Sequence, residues 1–195
     1  MSPPRKIPQP KTLAVTGGIG AGKSEALRAF ARHGAATASA DEIVHRPYAD
    51  PEVQRELVAR WGEDVVREGV ADRKRIGEIV FADRDELLWL ESLIHPRVVA
   101  EQARWHGEQT APLVVVEVPL LYETGGDARF DAVVVITAPD DVRAARTDVA
   151  NASDRQERLL PDDEKVRRAD FAYVNDGSLD ELDAFVRDVV QRLTA

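Results

Sequence analysis

The chain has 195 residues, which suits one α/β domain, or one core with a helical insert, and is too short for two large domains. Its 35 acidic and 26 basic residues give a formal net charge of −9, which argues against a protein that mainly binds duplex DNA or an anionic membrane. The sequence contains no cysteine, and this excludes a disulfide scaffold, a thiolate metal site and a cysteine nucleophile.

The N-terminal stretch, residues 1–11, is rich in proline and basic residues and lacks the apolar segment of a signal peptide. We therefore expect these residues to form a disordered arm. No apolar run approaches the ~20 residues that a membrane-spanning helix needs. Together with the lack of cysteine, these features favour a cytoplasmic protein.

Short runs of β-branched and apolar residues predict five strands, at residues 12–16, 35–39, 113–118, 132–136 and 171–174. The first two strands flank a glycine cluster and an amphipathic pattern over 24–32, so they form a βαβ unit, which predicts a parallel sheet. The near-continuous Val and Ile of the third and fourth strands indicate burial on both faces. Ser178 and Glu181 form a capping box that begins a last helix.

The residues between the second and third predicted strands carry helical patterns instead. Asp50–Pro51 begins a helix that ends at Gly62, and Asp72 caps a second one. A third predicted helix breaks at His95–Pro96, and a fourth covers 97–106. Because such insertions commonly form substrate domains, the sequence predicts three regions: a core (12–45 and 112–195), a helical substrate domain (46–111) and a lid (146–165).

Residues 17–24 read GGIGAGKS, contain four of the 12 glycines, and fit the phosphate-binding pattern G-x-x-x-x-G-K-[ST]. In this pattern the glycines let backbone N–H groups turn toward a phosphate, and the next helix adds its positive end. Lys23 supplies a charge for the outer phosphates, and the Ser24 hydroxyl can coordinate Mg²⁺. The spacing G-x-G-x-x-G is absent, so the sequence predicts a nucleoside triphosphate site and not a dinucleotide site.

Two carboxylates lie at or just after the ends of predicted strands, and the residues alone leave both roles open. Asp41 is either the base that accepts an acceptor's hydroxyl proton or the N-cap of a helix over 42–46. Glu117 follows an apolar run and either holds Mg²⁺ through water or has no role. The fourth strand is followed by Thr-Ala-Pro-Asp and not by N-K-x-D, so guanine specificity has no support.

The four histidines are scattered and form no metal-ligand pattern. His95-Pro96-Arg97 has two readings. A cation pair at a helix break suits an anionic substrate, and the same residues also suit a solvated helix end.

Taken together, the motifs resemble the dephospho-CoA kinase family over residues 13–193. The resemblance is carried by TGGIGAGKS, SAD, LESLIHPR, PLLYE, RT, DEK, AD and NDGS, at residues 16–24, 39–41, 90–97, 119–123, 146–147, 163–165, 169–170 and 175–178. It implies an α/β P-loop NTPase fold, with a five-stranded parallel sheet flanked by helices, a helical substrate-binding insert and a short lid. It also implies that ATP, with Mg²⁺, phosphorylates the ribose 3′-hydroxyl of dephospho-CoA.

The resemblance assigns roles to positions of this sequence. ATP binding falls to Gly18, Ile19, Gly20, Ala21, Gly22, Lys23, Ser24, Glu25, Arg146 and Asn175. Acceptor binding falls to Asp41, His95, Arg97, Leu120 and Glu123. Lys23 and Asp41 are the predicted catalytic residues, Arg155 and Lys165 the predicted lid cations, and Ser24 and Glu117 the predicted magnesium ligands. The predicted partners are small-molecule substrates, with no nucleic acid and no membrane.

Three positions depart from the family pattern. Glu25 stands where Thr is usual, so we expect its carboxylate to point away from the phosphates. Ser39 replaces the first acid of a frequent D-A-D, and the segment between Arg146 and Arg155 is short. These departures leave two alternatives open: a related kinase for another nucleotide-like alcohol, and a nucleotide-binding regulatory module without turnover.

Overall fold

A computed structural model describes residues 10–146 and 160–195. The chain divides into two compact units, one comprising the residues up to Ala40 and from Gln109 onward, the other Asp41–Glu108. The domain borders predicted at 46 and 111 lie near these divisions. The predicted N-terminal arm, apart from its last residues, and most of the predicted lid, including Arg155, lie outside the described residues.

The first unit is built on a parallel sheet. Its strands are β1 (Lys11–Thr16), β2 (Ala36–Ser39), β5 (Leu113–Glu117), β6 (Ala132–Thr137) and β7 (Phe171–Val174). They run in the order β2-β5-β1-β6-β7, with every neighbouring pair parallel. The five predicted strands are therefore confirmed.

Within residues 10–146 and 160–195, four helices of the first unit flank or follow these strands. They are α1 (Lys23–Arg32), α6 (Asp140–Arg146), α7 (Asp162–Arg168) and α8 (Leu179–Thr194). Ser178 caps α8, with both hydrogen bonds of the predicted capping box in place.

Both faces of the central strands are buried, because successive residues of a strand point to opposite sides. On one face Leu13 and Val15 of β1 pack with Phe30 of α1. On the other face Ala14 packs with Val135. The near-continuous apolar runs reflect this two-sided burial.

The second unit is mainly helical. It contains α2 (Ala40–His45, which starts one residue before the unit), α3 (Pro51–Trp61), α4 (Arg73–Ala82) and α5 (Arg84–Gly107). Its core consists of Val53, Leu57, Val65, Ile76, Val80, Leu90, Ile94 and Val98. Asp50 and Asp72 cap α3 and α4 as predicted. None of the helices in the described ranges combines the length and apolar character needed to cross a membrane.

The prediction of two helices separated at His95–Pro96 is wrong, because α5 continues through Pro96. Proline removes one backbone donor and normally interrupts a helix. Here Ile94 and Val98 are both buried in the core of the unit, so packing outweighs the local preference. The Arg97 side chain also donates from Nη1 to the Leu93 carbonyl at 2.9 Å, within the turn that the proline disturbs.

A small hairpin in the second unit was not predicted. Strands β3 (Val66–Arg67) and β4 (Val70–Ala71) pair antiparallel. The two turn residues both have positive φ, 50° at Glu68 and 75° at Gly69. This is the backbone of a tight hairpin turn, which Asn-Gly or Asp-Gly usually marks, so Glu-Gly gave only a weak signal.

Candidate active site

The phosphate-binding loop, residues 17–24, connects β1 to α1 at the carboxyl end of β1. Gly17, Gly20 and Gly22 have φ values of 145°, 75° and 94°, which side-chain-bearing residues rarely adopt. A Cβ at Gly17 would collide with the backbone carbonyl of Ile136. The loop therefore needs glycine for its own backbone and for its close contact with β6.

Neighbouring side chains hold this loop from outside. A Cβ at Gly22 would overlap the side-chain amide of Asn175. Asn175 is buried, and its Nδ2 donates to the Ala21 carbonyl at 2.9 Å while its backbone N–H donates to Thr137 at 2.7 Å. Arg146 Nη1 donates in turn to the Asn175 carbonyl at 3.3 Å. Asn175 thus ties the loop to the end of β6.

Lys23 joins the two ends of the loop region. Its Nζ donates to the Gly18 carbonyl at 2.9 Å and lies 4.0 Å from Glu117 Oε1 at the end of β5. The contact with Glu117 holds the ammonium group close to the loop. A phosphate bound in the loop would meet this charge.

Glu117 and Ser24 are the two oxygen donors predicted to bind Mg²⁺. Glu117 ends β5, in register with Val15 and Ser39 on the neighbouring strands, and Ser24 is exposed in the first turn of α1. Residues 10–146 and 160–195 contain no group of three or more His, Cys, Asp or Glu arranged to hold a metal. The donor set fits Mg²⁺, which commonly uses one or two protein oxygens and completes its shell with waters and substrate phosphates.

Arg143 is a neighbour of the loop that the sequence did not reveal. Its guanidinium occupies the space beside Gly18 where a Cβ would be, with Asp162 nearby. Nη1 donates to Asp162 Oδ2 at 2.9 Å and Nη2 to Asp140 Oδ1 at 2.6 Å. The i,i+3 spacing of Asp140 and Arg143 was visible in the sequence, but their closeness to the loop depends on the tertiary fold.

Glu123 and Lys165 form a buried ion pair. The Lys165 side chain is fully buried and lies 2.9 Å from Glu123 Oε1, which also accepts from the Leu160 N–H at 2.8 Å. Burial favours a higher pKa for the Glu123 carboxyl, but the Lys165 ammonium and the hydrogen bond from the Leu160 N–H outweigh it and the pKa is lowered. The pair fastens α7 to the turn after β5.

Of the remaining predicted residues, Asp41 and His95 lie in the second unit, and Leu120 and Glu25 lie in the first. Asp41 is exposed in the first turn of α2, as the second residue of that helix, so the interpretation as N-cap is wrong. His95 is exposed on α5, and Leu120 is exposed after β5. Glu25 pairs with Arg28 on α1, at 2.6 Å, which directs its carboxylate along the helix.

Comparison with known proteins gives consistent results. The family model described as dephospho-CoA kinase matches residues 11–181. A curated dephospho-CoA kinase of Ruegeria pomeroyi is 34% identical over 189 residues, which cover 94% of this chain and 95% of the relative.

Among solved structures, a Thermus thermophilus protein superposes with a TM-score of 0.80 at 29% identity, covering 96% of this chain and all of that one. The dephospho-CoA kinase of Campylobacter jejuni gives 0.67 at 25% identity, covering 94% and 96% of the two chains.

Proposed function

The chain belongs to the dephospho-CoA kinase family, and on that premise we propose that it transfers the terminal phosphoryl group of ATP to dephospho-CoA. The acceptor atom is the ribose 3′-hydroxyl, and the products are CoA and ADP, so the reaction is the last step of CoA biosynthesis. The observation that carries this proposal is the phosphate-binding loop, in which Lys23 is held by the Gly18 carbonyl. The loop lies inside the family match, which covers nearly the whole core that the structure describes.

In this proposal the loop binds the triphosphate through its backbone N–H groups. Lys23 stabilises the charge that develops on the phosphoryl group during transfer. Ser24 and Glu117 would hold Mg²⁺, which spreads that charge further when it is bound. Asn175 and Arg146 support the ATP site, since they fix the loop at Ala21 and Gly22.

Asp41 is the proposed base that accepts the proton of the 3′-hydroxyl. Its side chain is exposed. Among the described residues it has no hydrogen-bond partner that would give it a structural role instead. His95, Arg97 and Leu120 are the proposed acceptor-binding residues. Glu123 stays a predicted acceptor residue and Lys165 a predicted lid cation, while their ion pair supports a positioning role.

A coupled assay of ADP release tests the function. We expect ADP and CoA in equal amounts with dephospho-CoA as acceptor, and little ADP with adenosine or AMP. Turnover with adenosine or AMP instead would favour a related kinase for another nucleotide-like alcohol. ADP release at background level with all three acceptors would contradict a kinase and favour a regulatory nucleotide-binding module. We also propose that the protein is cytoplasmic.

A further inference from the structure

The turn Arg46–Ala49 and helix α5 enclose an open pocket of about 300 Å³ within the second unit. The charged residues that line it are Arg46, Asp50, Arg97, Glu101 and Arg104. Of these, only Arg97 belongs to the residues predicted to bind the acceptor. We call this cavity the arginine pocket.

The arginine pocket carries a surplus of positive charge. Its lining holds three guanidinium groups and two carboxylates. The lining therefore has a net charge of +1, and one of its carboxylates, Asp50, accepts the backbone N–H of Glu52 as the N-cap of α3. In a chain with a net charge of −9, this is a local concentration of cations, which is the arrangement that attracts an anionic ligand.

Glu101 holds two of the arginines in place. Arg104 donates to it from Nη2 at 2.7 Å and from Nε at 2.9 Å, and Arg46 donates from Nη1 at 2.8 Å. These hydrogen bonds, with Arg104 contributing most, lower the pKa of Glu101 to about 2, so the carboxylate is ionised at neutral pH. It fixes both guanidinium planes before any ligand arrives.

Arg104 already donates from all three of its nitrogens, to Glu101 and, at 2.8 Å from Nη1, to Glu108, but Arg46 and Arg97 keep more of their donors for a ligand. A guanidinium has five N–H donors. Within the described residues, the Arg46 side chain donates through Nη1 alone. Arg97 donates from Nη1 to Leu93, and its Nη2 lies 3.6 Å from the largely exposed Glu52. Several forked donors therefore remain to bind oxygens of one anion.

We propose that the arginine pocket binds the diphosphate of dephospho-CoA, the doubly charged group between the ribose and the pantetheine arm. This inference rests on the proposed function and adds Arg46 and Arg104 to the acceptor site. Arginine forks match the oxygens of a diphosphate in geometry and charge, whereas a neutral ligand would gain nothing from them.

Calorimetric titration of the full chain with dephospho-CoA, without ATP, tests the pocket directly. Arg46→Ala and Arg104→Ala should each raise the dissociation constant about tenfold, because each removes charge-assisted hydrogen bonds. Arg75→Ala is the matched control, since Arg75 forms a similar exposed ion pair with Glu78 outside the pocket. We expect this control to bind within a factor of two of the unchanged protein. Melting temperatures verify that each variant folds.

Steady-state kinetics separates this inference from the proposed function. In both pocket variants the KM for dephospho-CoA should rise while the KM for ATP stays constant. Unchanged dissociation constants in both folded variants would overturn the pocket assignment and leave the kinase activity standing. Absence of turnover in the unchanged protein would contradict the proposed function, and the titration would still decide whether the pocket binds the diphosphate.

Discussion

The positive charge of the phosphate-binding loop lies on the Lys23 ammonium group, which is held between Gly18 and Glu117. Replacing it with alanine removes a charge aimed at the transition state. Lys23→Ala should therefore lower kcat by about 10²- to 10³-fold. Lys74→Ala, which removes an exposed lysine of α4, is the control and should leave kcat unchanged. A Lys23→Ala enzyme with normal kcat would refute the role assigned to this residue.

Asp41 has a matched neighbour that isolates its chemistry. Glu42 is the next residue of α2 and is also exposed. Asp41→Asn removes the proposed base and should lower kcat by about 10²-fold, with ATP binding unchanged. Glu42→Gln removes the same charge beside it and should have little effect on kcat. Equal losses in the two variants would indicate a general charge effect and not a base.

Two adjacent glycines of the loop should respond differently to alanine. At Gly17 the backbone has a φ of 145° and a Cβ would meet the rigid Ile136 carbonyl, so Gly17→Ala should destabilise the protein by about 3 kcal/mol. At Gly18 the Cβ would overlap only the end of the Arg143 side chain and would touch Asp162 at an ordinary contact distance, so Gly18→Ala should cost about 1 kcal/mol. Urea denaturation measures both values. Equal costs would show that Arg143 is as rigid as the backbone of β6.

Substitution of Pro96 tests how this residue affects the stability of helix α5. An interior proline costs a helix about 3 kcal/mol relative to alanine. Because α5 is continuous here, Pro96→Ala should raise the free energy of unfolding by about 1–3 kcal/mol. Denaturant titration measures this gain. A loss of stability would mean that the local shape imposed by the proline is needed for the packing of Ile94 and Val98.

The elements that local patterns determine were predicted well, and those that depend on tertiary contacts were not. The apolar runs of β5 and β6 and the capping box at Ser178 are encoded in neighbouring residues. The continuity of α5 is decided by the core of the second unit, which no local pattern around Pro96 reveals.

The residues of the candidate site also fall into those that local sequence patterns reveal and those that depend on tertiary contacts. The loop residues could be found from spacing alone. The contact of Arg143 with Gly18 and the burial of Lys165 against Glu123 join residues far apart in the sequence. Such pairs become visible only when the strands and helices are assembled.

Over the whole molecule, acidic residues outnumber basic ones, yet cations at the described sites are held by individual carboxylates. Glu117 lies beside Lys23, Asp162 bonds Arg143, and Glu101 bonds two arginines of its pocket. Many of the acids therefore orient cations and do not simply repel anionic substrates. This arrangement lets a chain with a charge of −9 bind two polyanions.

The Glu123–Lys165 ion pair is another contact between a cation and a single carboxylate, and its effect on the stability of the whole molecule can be measured. Removal of one partner strands the other charge, so Lys165→Met should destabilise the protein by about 3 kcal/mol. The double variant Glu123→Leu/Lys165→Met leaves no stranded charge and should recover most of that loss. Urea denaturation of the single and double variants measures the coupling. Strict additivity would show that the two side chains do not stabilise each other.

Low pH should remove the stabilisation that the ionised Glu123 carboxylate provides. Because the pKa of Glu123 is lowered from 4.5 in the folded state, its carboxylate stabilises the protein fully above that value. The contribution disappears as the pH falls through the lowered pKa. The difference in unfolding free energy between the unchanged protein and Glu123→Gln should therefore be constant from pH 7 to about 5 and shrink at lower pH. A difference that persists undiminished to pH 2 would show that the effect comes from packing and not from the ionised pair.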